Sequence, residues 1–138
     1  MSRPDDERSE ARERAMMLLY EAEQRDVAAD EVLDAQVSPA DELTCLLVQG
    51  VSMHRPDLDD LIASHSQGWQ LARMPAIDRT VLRIATFELV HRSDVPTAVV
   101  IDEAVELAKR FSTEESGKFI NGVLGHLIRD LEAEQTGP

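Results

Sequence analysis

Apolar residues recur along this chain at the three- and four-residue spacing of amphipathic helices, and no stretch alternates apolar and polar residues as a half-buried strand does. The most apolar segment covers residues 77–91, where only a narrow stripe of Arg79, Arg83 and Thr86 is polar. A helix with so wide an apolar surface has to be surrounded by other helices. We therefore predict an all-α protein in which residues 77–91 form the central helix.

The same periodicity predicts about seven helices in a single compact domain, separated by turn signals such as Arg55-Pro56 and Gln67-Gly68. Ser38-Pro39 indicates a helix start, with serine at the N-cap and proline at the first helical position. The predicted helices cover residues 8–24, 30–33, 38–54, 58–65, 77–91, 99–110 and 116–131.

A chain of 138 residues is the size of one domain with one core. We expect residues 1–7 to be a disordered leader, residues 8–131 to form the helical domain and residues 132–138 to be a frayed tail. No secretory signal and no run of about 20 apolar residues is present, so no membrane association is expected. With Cys45 as the only cysteine, a cytoplasmic location is the default prediction.

The net charge of −13 is concentrated in residues 21–68, which hold eleven acidic residues against Arg25 and Arg55. Long-range attraction to a polyanion is therefore not expected from the chain as a whole. A local basic site outside the acidic stretch remains compatible with this charge distribution.

No residue pattern indicates catalysis, a metal or a cofactor. The four histidines fall on separate predicted elements, and no Cys-x-x-Cys, His-Glu-x-x-His or phosphate-binding glycine loop occurs. Glu88 lies on an apolar side of the central helix, where a carboxylate must be paired. Arg92, one turn later, is the nearest candidate, so we interpret Glu88 as structural.

Two surface features suggest binding instead. Met17 and Tyr20 lie outside the apolar stripe of the first helix. They form either a docking patch or two incidentally exposed residues. Phe119 lies at the rim of the apolar face of the last helix, beside Lys118. A rim aromatic next to a base can stack on a nucleobase, although such a residue can also simply close a core.

Several ordered motifs resemble the bacterial transcription antitermination factor NusB family. The resemblance covers about residues 8–128 and is strongest after Trp69. The residues that carry it are Ala11–Glu13, Ala15, Leu19-Tyr20, Asp78-Arg79, Leu82–Ala85, Glu88-Leu89, Ser93–Pro96, Asp102–Ala104, Glu106–Lys109 and Lys118–Leu124.

The resemblance implies an all-helical protein in two small bundles and a non-enzymatic role. Proteins similar to NusB pair with NusE, a small-subunit ribosomal protein, and the pair binds the boxA element of nascent RNA. That complex keeps RNA polymerase elongating through ribosomal RNA operons, so contact with the polymerase is indirect. The implied RNA-binding positions are Arg8, Arg12, Glu115, Lys118 and Phe119, and the implied NusE-facing positions are Tyr20, Asp78 and Arg79, with Met17 beside Tyr20.

One departure from the family pattern affects the RNA contacts. Family members commonly carry a run of arginines where this chain has Arg8-Ser9-Glu10. Because each phosphate neutralised on a single strand contributes a salt slope of about 0.7, the absence of two arginines should weaken RNA binding. We expect weak binding by the chain alone and stronger binding once a basic partner joins.

Two alternatives and the oligomeric state stay open at this point. Some RNA cytosine methyltransferases carry a NusB-like N-terminal domain, so the chain could belong to such an enzyme. It could also be a self-associating, protein-only paralogue with weak RNA binding. The sequence does not decide between a monomer and a homodimer.

Overall fold

The computed structural model describes residues 4–136, and side-chain surroundings for residues 6–135. These residues form six α-helices and one 3₁₀ turn, with no strand among them, which confirms the all-α prediction. None of these helices combines the length and apolar character needed to cross a bilayer. The helices are α1 (Pro4–Arg25), α2 (Ala29–Asp34), α3 (Glu42–Ser64), α4 (Ala76–His91), α5 (Thr97–Phe111) and α6 (Glu114–Thr136), and the 3₁₀ turn is Leu71–Arg73.

Helix α3 runs through Arg55-Pro56, so the predicted break there was wrong, and two predicted helices are one. Proline lacks an N–H and cannot bond the carbonyl four residues earlier, on Ser52. Both Ser52 and Pro56 are exposed, and water can therefore hydrate that carbonyl. An exposed helix face tolerates a proline that a buried face would not.

The start of α3 also differs from the prediction, because Ser38-Pro39 precedes the helix instead of opening it. The carbonyls of Ser38 and Pro39 accept hydrogen bonds from the Arg14 guanidinium, at 2.5 Å from Nη2 and 3.3 Å from Nη1. Asp41 is the residue next to the helix, and its carboxylate accepts a hydrogen bond from the Thr44 hydroxyl. The connection is thus held by a side chain from α1, which sequence periodicity does not reveal.

The outer helices are longer than predicted. Helix α1 begins at Pro4, four residues before the expected start, with Asp6 and Glu7 near the positive end of its dipole. Helix α6 continues to Thr136 through exposed residues that favour helix even without packing. Residues 1–3 of the predicted leader and residues 137–138 of the predicted tail lie outside the described residues.

The chain divides into two compact units, Met1–His54 and Arg55–Pro138. In the first unit α1 packs against α2, and the Thr44 Oγ1 atom of α3 lies 3.3 Å from the carbonyl oxygen of Ala11. The apolar side chains buried in this unit include Ala15, Met16, Leu18, Val32, Leu47 and Val48.

In the second unit α4 packs against both α5 and α6, as expected for a central helix, and every residue from 80 to 88 is buried. In its polar stripe Arg83 and Thr86 are buried as well, and Arg79 is half-buried. The Arg83 guanidinium donates two hydrogen bonds to the carboxylate of Asp59 on α3, from Nε at 2.7 Å and from Nη2 at 3.1 Å. Arg83 therefore fixes α4 against the second half of α3.

Glu88 is 1% exposed, and its Oε1 lies 3.8 Å from Nη1 of Arg92. This is the pairing that the sequence suggested for a carboxylate on an apolar side of the helix. The geometry supports a structural role for Glu88.

Candidate nucleic-acid interface

The first turn of α6 is fixed by hydroxyl groups. Thr113, the residue before the helix, accepts the Ser116 backbone N–H on its Oγ1 at 2.9 Å. The Ser116 hydroxyl lies 3.0 Å from those of both Thr113 and Ser112. Such an N-cap contributes about 1 kcal/mol to helix stability. It holds the helix start from which Lys118 and Phe119 project, one turn along.

Gly117 lets the end of α5 approach this turn closely. A Cβ atom at position 117 would lie 2.8 Å from Cγ and 3.1 Å from Cε of Lys109. The aliphatic stem of Lys109 therefore occupies the space that a side chain at 117 would fill. This close approach adds to the packing of α5 against α6 around the candidate site.

Phe119 and Trp69 form an aromatic pair beside this helix start. Their ring centroids are 6.1 Å apart and the ring planes are inclined by 68°, an edge-to-face arrangement. Trp69 is 59% exposed, so a large apolar surface faces solvent. The two rings border a groove of about 270 Å³, the Trp69–Phe119 groove, which is also lined by Met74, Pro75, Asp78, Thr113, Glu115 and Ser116.

Asp78 lines this groove from the first turn of α4, where the helix dipole favours negative charge. The residue is 3% exposed. Its Oδ1 has no hydrogen-bond partner within the part of the chain that the structure describes. A buried acceptor without a donor is energetically unfavourable.

Lys118 and Glu115 form an exposed ion pair at the groove, with Nζ and Oε1 3.4 Å apart. A surface pair at this distance is weak and easily exchanged. Lys118 can therefore turn from Glu115 to an incoming phosphate with little loss of stability.

The remaining predicted RNA-binding residues, Arg8 and Arg12, belong to the first unit. Arg8 is exposed, while Arg12 is only 3% exposed. A guanidinium that is packed inside the protein cannot meet a phosphate unless the side chain first moves out. Arg8 is thus the more accessible of the two arginines for a contact with the phosphate backbone of RNA.

The predicted protein-facing residues also differ in availability. On α1, Met17 is 40% exposed and Tyr20 is half-buried. On α4, the Arg79 guanidinium donates from Nη1 to the carbonyl of Met74 at 2.6 Å, so it holds the loop before the helix. Asp78, which the sequence prediction groups with these residues, lines the same groove as Phe119.

Trp69 lines the groove but was not predicted as a site residue. The sequence signal that could have indicated it is a tryptophan placed directly after the turn pair Gln67-Gly68. In the structure both turn residues have a positive φ, of 49° and 88°. That turn ends the segment after α3 and brings the indole back to the groove. No sequence feature of Met74 or Pro75 indicates that they line a groove, because the position of residues in a loop before a helix depends on tertiary packing.

Comparisons with known proteins agree with this architecture. The model of the NusB family matches residues 9–129. Among solved structures, NusB of T. maritima is 34% identical with a TM-score of 0.82, over 94% of this chain and 94% of that chain. NusB from Aquifex aeolicus is 26% identical with a TM-score of 0.78, over 95% of this chain and 93% of that one.

A further similar structure is that of the antitermination factors NusB and NusE in complex with double-stranded RNA. The matched chain is 26% identical with a TM-score of 0.78, and the match covers 89% of this chain and 96% of that one. The family match spans most of the sequence, including all the residues that line the Trp69–Phe119 groove. This chain belongs to the NusB family.

Proposed function

We propose that this protein is a non-catalytic adaptor of transcription antitermination, which pairs with a NusE-type ribosomal protein and binds boxA-type RNA of nascent ribosomal RNA transcripts. Its effect on RNA polymerase is then indirect, through that complex. The observation that carries the proposal is the Trp69–Phe119 groove beside Lys118, in a family with a member solved together with NusE and RNA.

The groove favours unpaired RNA as the ligand. In a duplex the base faces are covered by their neighbours, whereas single-stranded bases can stack on aromatic side chains. Trp69 and Phe119 supply such faces, and Lys118 supplies a cation for the adjacent phosphate. Arg8 supplies a second exposed cation on α1, whereas Arg12 is buried and reaches a phosphate only after its side chain moves out.

The protein partner is assigned to the exposed face of α1 that carries Met17 and Tyr20. The acidic stretch of residues 21–68 follows directly in the sequence and complements a basic protein. Such a partner also offsets the net charge of −13, which opposes RNA binding by this chain alone.

The decisive experiment is an RNA titration with and without a purified NusE partner. Single-stranded RNA should bind weakly to the protein alone and more tightly to the pair, with a steep dependence on salt. RNA that binds neither the protein nor the pair at low salt would contradict the proposal.

Replacing Phe119 by alanine should weaken RNA binding by roughly tenfold, within the ~1–3 kcal/mol that a stacked base contributes. Phe119 is half-buried at the rim, so the fold should survive. Fluorescence anisotropy with labelled single-stranded RNA measures the change. Val99→Ala, which removes an exposed apolar side chain from α5, is the matched control and should leave affinity unchanged.

Replacing Ser9 and Glu10 by arginine should tighten RNA binding, because the change restores two phosphate partners and removes one repulsive charge. The log–log salt slope should become steeper by about 0.7 for each additional phosphate that is neutralised. Glu31→Arg, at an exposed position of α2, changes the net charge by as much as Glu10→Arg. If that control tightens binding equally, the improvement reflects total charge and not a local interaction.

A further inference from the structure

We propose that His65, with a proton on both ring nitrogens, is a positioning residue for Trp69. Through an ion pair with Asp130 it joins the loop after α3 to helix α6, and this link keeps Trp69 beside Phe119. The consequence for RNA binding rests on the proposed function, whereas the consequence for Trp69 rests on the geometry alone. All four residues belong to the second compact unit.

The hydrogen bonds of His65 determine its protonation state. Nδ1 lies 2.7 Å from the carbonyl oxygen of Leu61, and Nε2 lies 2.7 Å from Oδ2 of Asp130. A carbonyl oxygen and an ionised carboxylate only accept hydrogen bonds, so both ring nitrogens have to donate. Only the imidazolium form carries a proton on each nitrogen. His65 is therefore a cation paired with Asp130, and its side chain is only 9% exposed.

The neighbouring His126 places the positive charge on His65. The centroids of the two histidine rings are 4.9 Å apart, and two cations at this distance would repel each other. Nδ1 of His126 is buried without a hydrogen-bond partner within residues 6–135, so a proton there would have no acceptor. His126 and Asp130, both on α6, are the titratable groups that the structure places against the His65 ring. Of the two rings, the one between two acceptors is the charged one.

A short turn with its own hydrogen bonds connects His65 to Trp69. The backbone N–H of His65 donates to the carbonyl of Ile62 at 3.1 Å. The backbone N–H of Trp69 donates to the carbonyl of Ser66 at 3.1 Å. Ser66 is buried, and its hydroxyl donates to the Ile62 carbonyl as well. Because these bonds hold the turn together, fixing His65 also fixes the backbone of Trp69.

The two ends of this turn contact α6 at separate points. His65 meets Asp130, and Trp69 meets Phe119, about three helical turns nearer the start of α6. The turn therefore runs along α6 in the direction opposite to the helix. Helix α6 packs against α4 and α5, and the ion pair adds a link from α6 to the end of α3. Loss of this link should let Trp69 move relative to Phe119.

Two measurements test the positioning of Trp69. NMR of the labelled imidazole nitrogens should show both nitrogens of His65 protonated at about pH 6. Trp69 is the only tryptophan, so the anisotropy of the intrinsic fluorescence reports its mobility. Asp130→Ala should lower this anisotropy without changing the circular dichroism spectrum, because Asp130 is exposed.

Raising the pH should lower the anisotropy of the wild-type protein in the same way. Histidine gives up its second proton near neutral pH, and one of the two hydrogen bonds of His65 is then lost. The link is therefore complete at the lower pH and weakened at the higher one. Asp130→Ala lacks the acceptor at every pH, so its anisotropy should show no such fall.

The effect on RNA is measured with labelled single-stranded RNA and the purified NusE partner. Asp130→Ala should weaken binding by about threefold, a partial loss compared with the roughly tenfold that a fully stacked base contributes. Glu134→Ala is the matched control, since it removes another exposed carboxylate from α6. Removing a negative charge by itself strengthens RNA binding, so the two variants should change affinity in opposite directions. Asp130→Glu keeps the charge and should retain part of the wild-type affinity and anisotropy.

The outcomes separate this proposal from the proposed function. A His65 ring with a single proton at that pH, or wild-type anisotropy in Asp130→Ala, would overturn the positioning role. Lower anisotropy in Asp130→Ala, together with the same RNA affinity as Glu134→Ala, would overturn its consequence for RNA binding. Absence of RNA binding by the wild-type pair would reject the proposed function, and the fluorescence would still decide whether His65 positions Trp69.

Discussion

Replacing Asp59 by alanine should lower the free energy of unfolding by about 3 kcal/mol, because it leaves the Arg83 guanidinium buried without its carboxylate. The Arg83 side chain is 7% exposed and makes two hydrogen bonds to Asp59, which is 25% exposed. Removing one member of such a pair typically costs about 3–5 kcal/mol, and the partial exposure of Asp59 points to the lower end. Urea unfolding followed by circular dichroism measures the loss.

Two further variants show whether the effect belongs to the pair. Arg55 lies 3.8 Å from Asp59 but is 51% exposed, so Arg55→Ala should change stability by less than about 1 kcal/mol. The double variant Asp59→Ala, Arg83→Met removes the buried charge together with its partner and should recover part of the loss. Equal losses for Arg55→Ala and Asp59→Ala would mean that the pair does not fix α3 to α4.

Replacing Tyr20 by alanine should weaken binding to a NusE partner by about 2 kcal/mol or more, roughly 30-fold. Tyrosines are frequent anchors of interfaces, because a rigid ring covers much apolar area and its hydroxyl reaches a polar rim. Tyr20 is half-buried on α1, beside the exposed Met17, so part of the ring is available. Isothermal titration calorimetry with the purified partner measures the effect.

The stability of the protein distinguishes an interface residue from a core residue here. Tyr20→Ala should cost much less stability than Leu18→Ala, because Leu18 is only 4% exposed. Tyr20→Phe tests the hydroxyl separately and should keep most of the affinity if the ring is the anchor. Wild-type affinity in Tyr20→Ala would remove Tyr20 from the partner surface.

The structure separates residues that the sequence treats alike. Arg8 and Arg12 are one helical turn apart at the edge of the same apolar stripe, yet the first is exposed and the second is buried. A helical wheel places both residues at the boundary between the apolar and polar faces. Only the packing of neighbouring helices determines whether each side chain is buried or exposed. The same holds for Asp78 and Arg79, which are neighbours in the sequence, since the first is buried and the second is half-buried.

The sequence determined those features that depend on residues close together in the chain. The spacing of apolar residues was sufficient to predict the all-α class and the central helix. Apolar residues that recur every three to four positions lie on one face of a helix, and that face is buried. The pairing of Glu88 with Arg92 followed from their spacing of one turn. The ordered motifs were enough for the NusB family.

Only the tertiary structure decided the features that join distant segments. Trp69, Asp78 and Phe119 come from a loop, from α4 and from α6, and no periodicity relates them. Helix α3 continues through Pro56 because this residue is exposed to solvent. Water can hydrogen-bond to the Ser52 carbonyl, which proline leaves without a helical N–H donor. Local sequence pattern determines which helices form, whereas tertiary packing determines burial and hydrogen-bond partners and creates the groove.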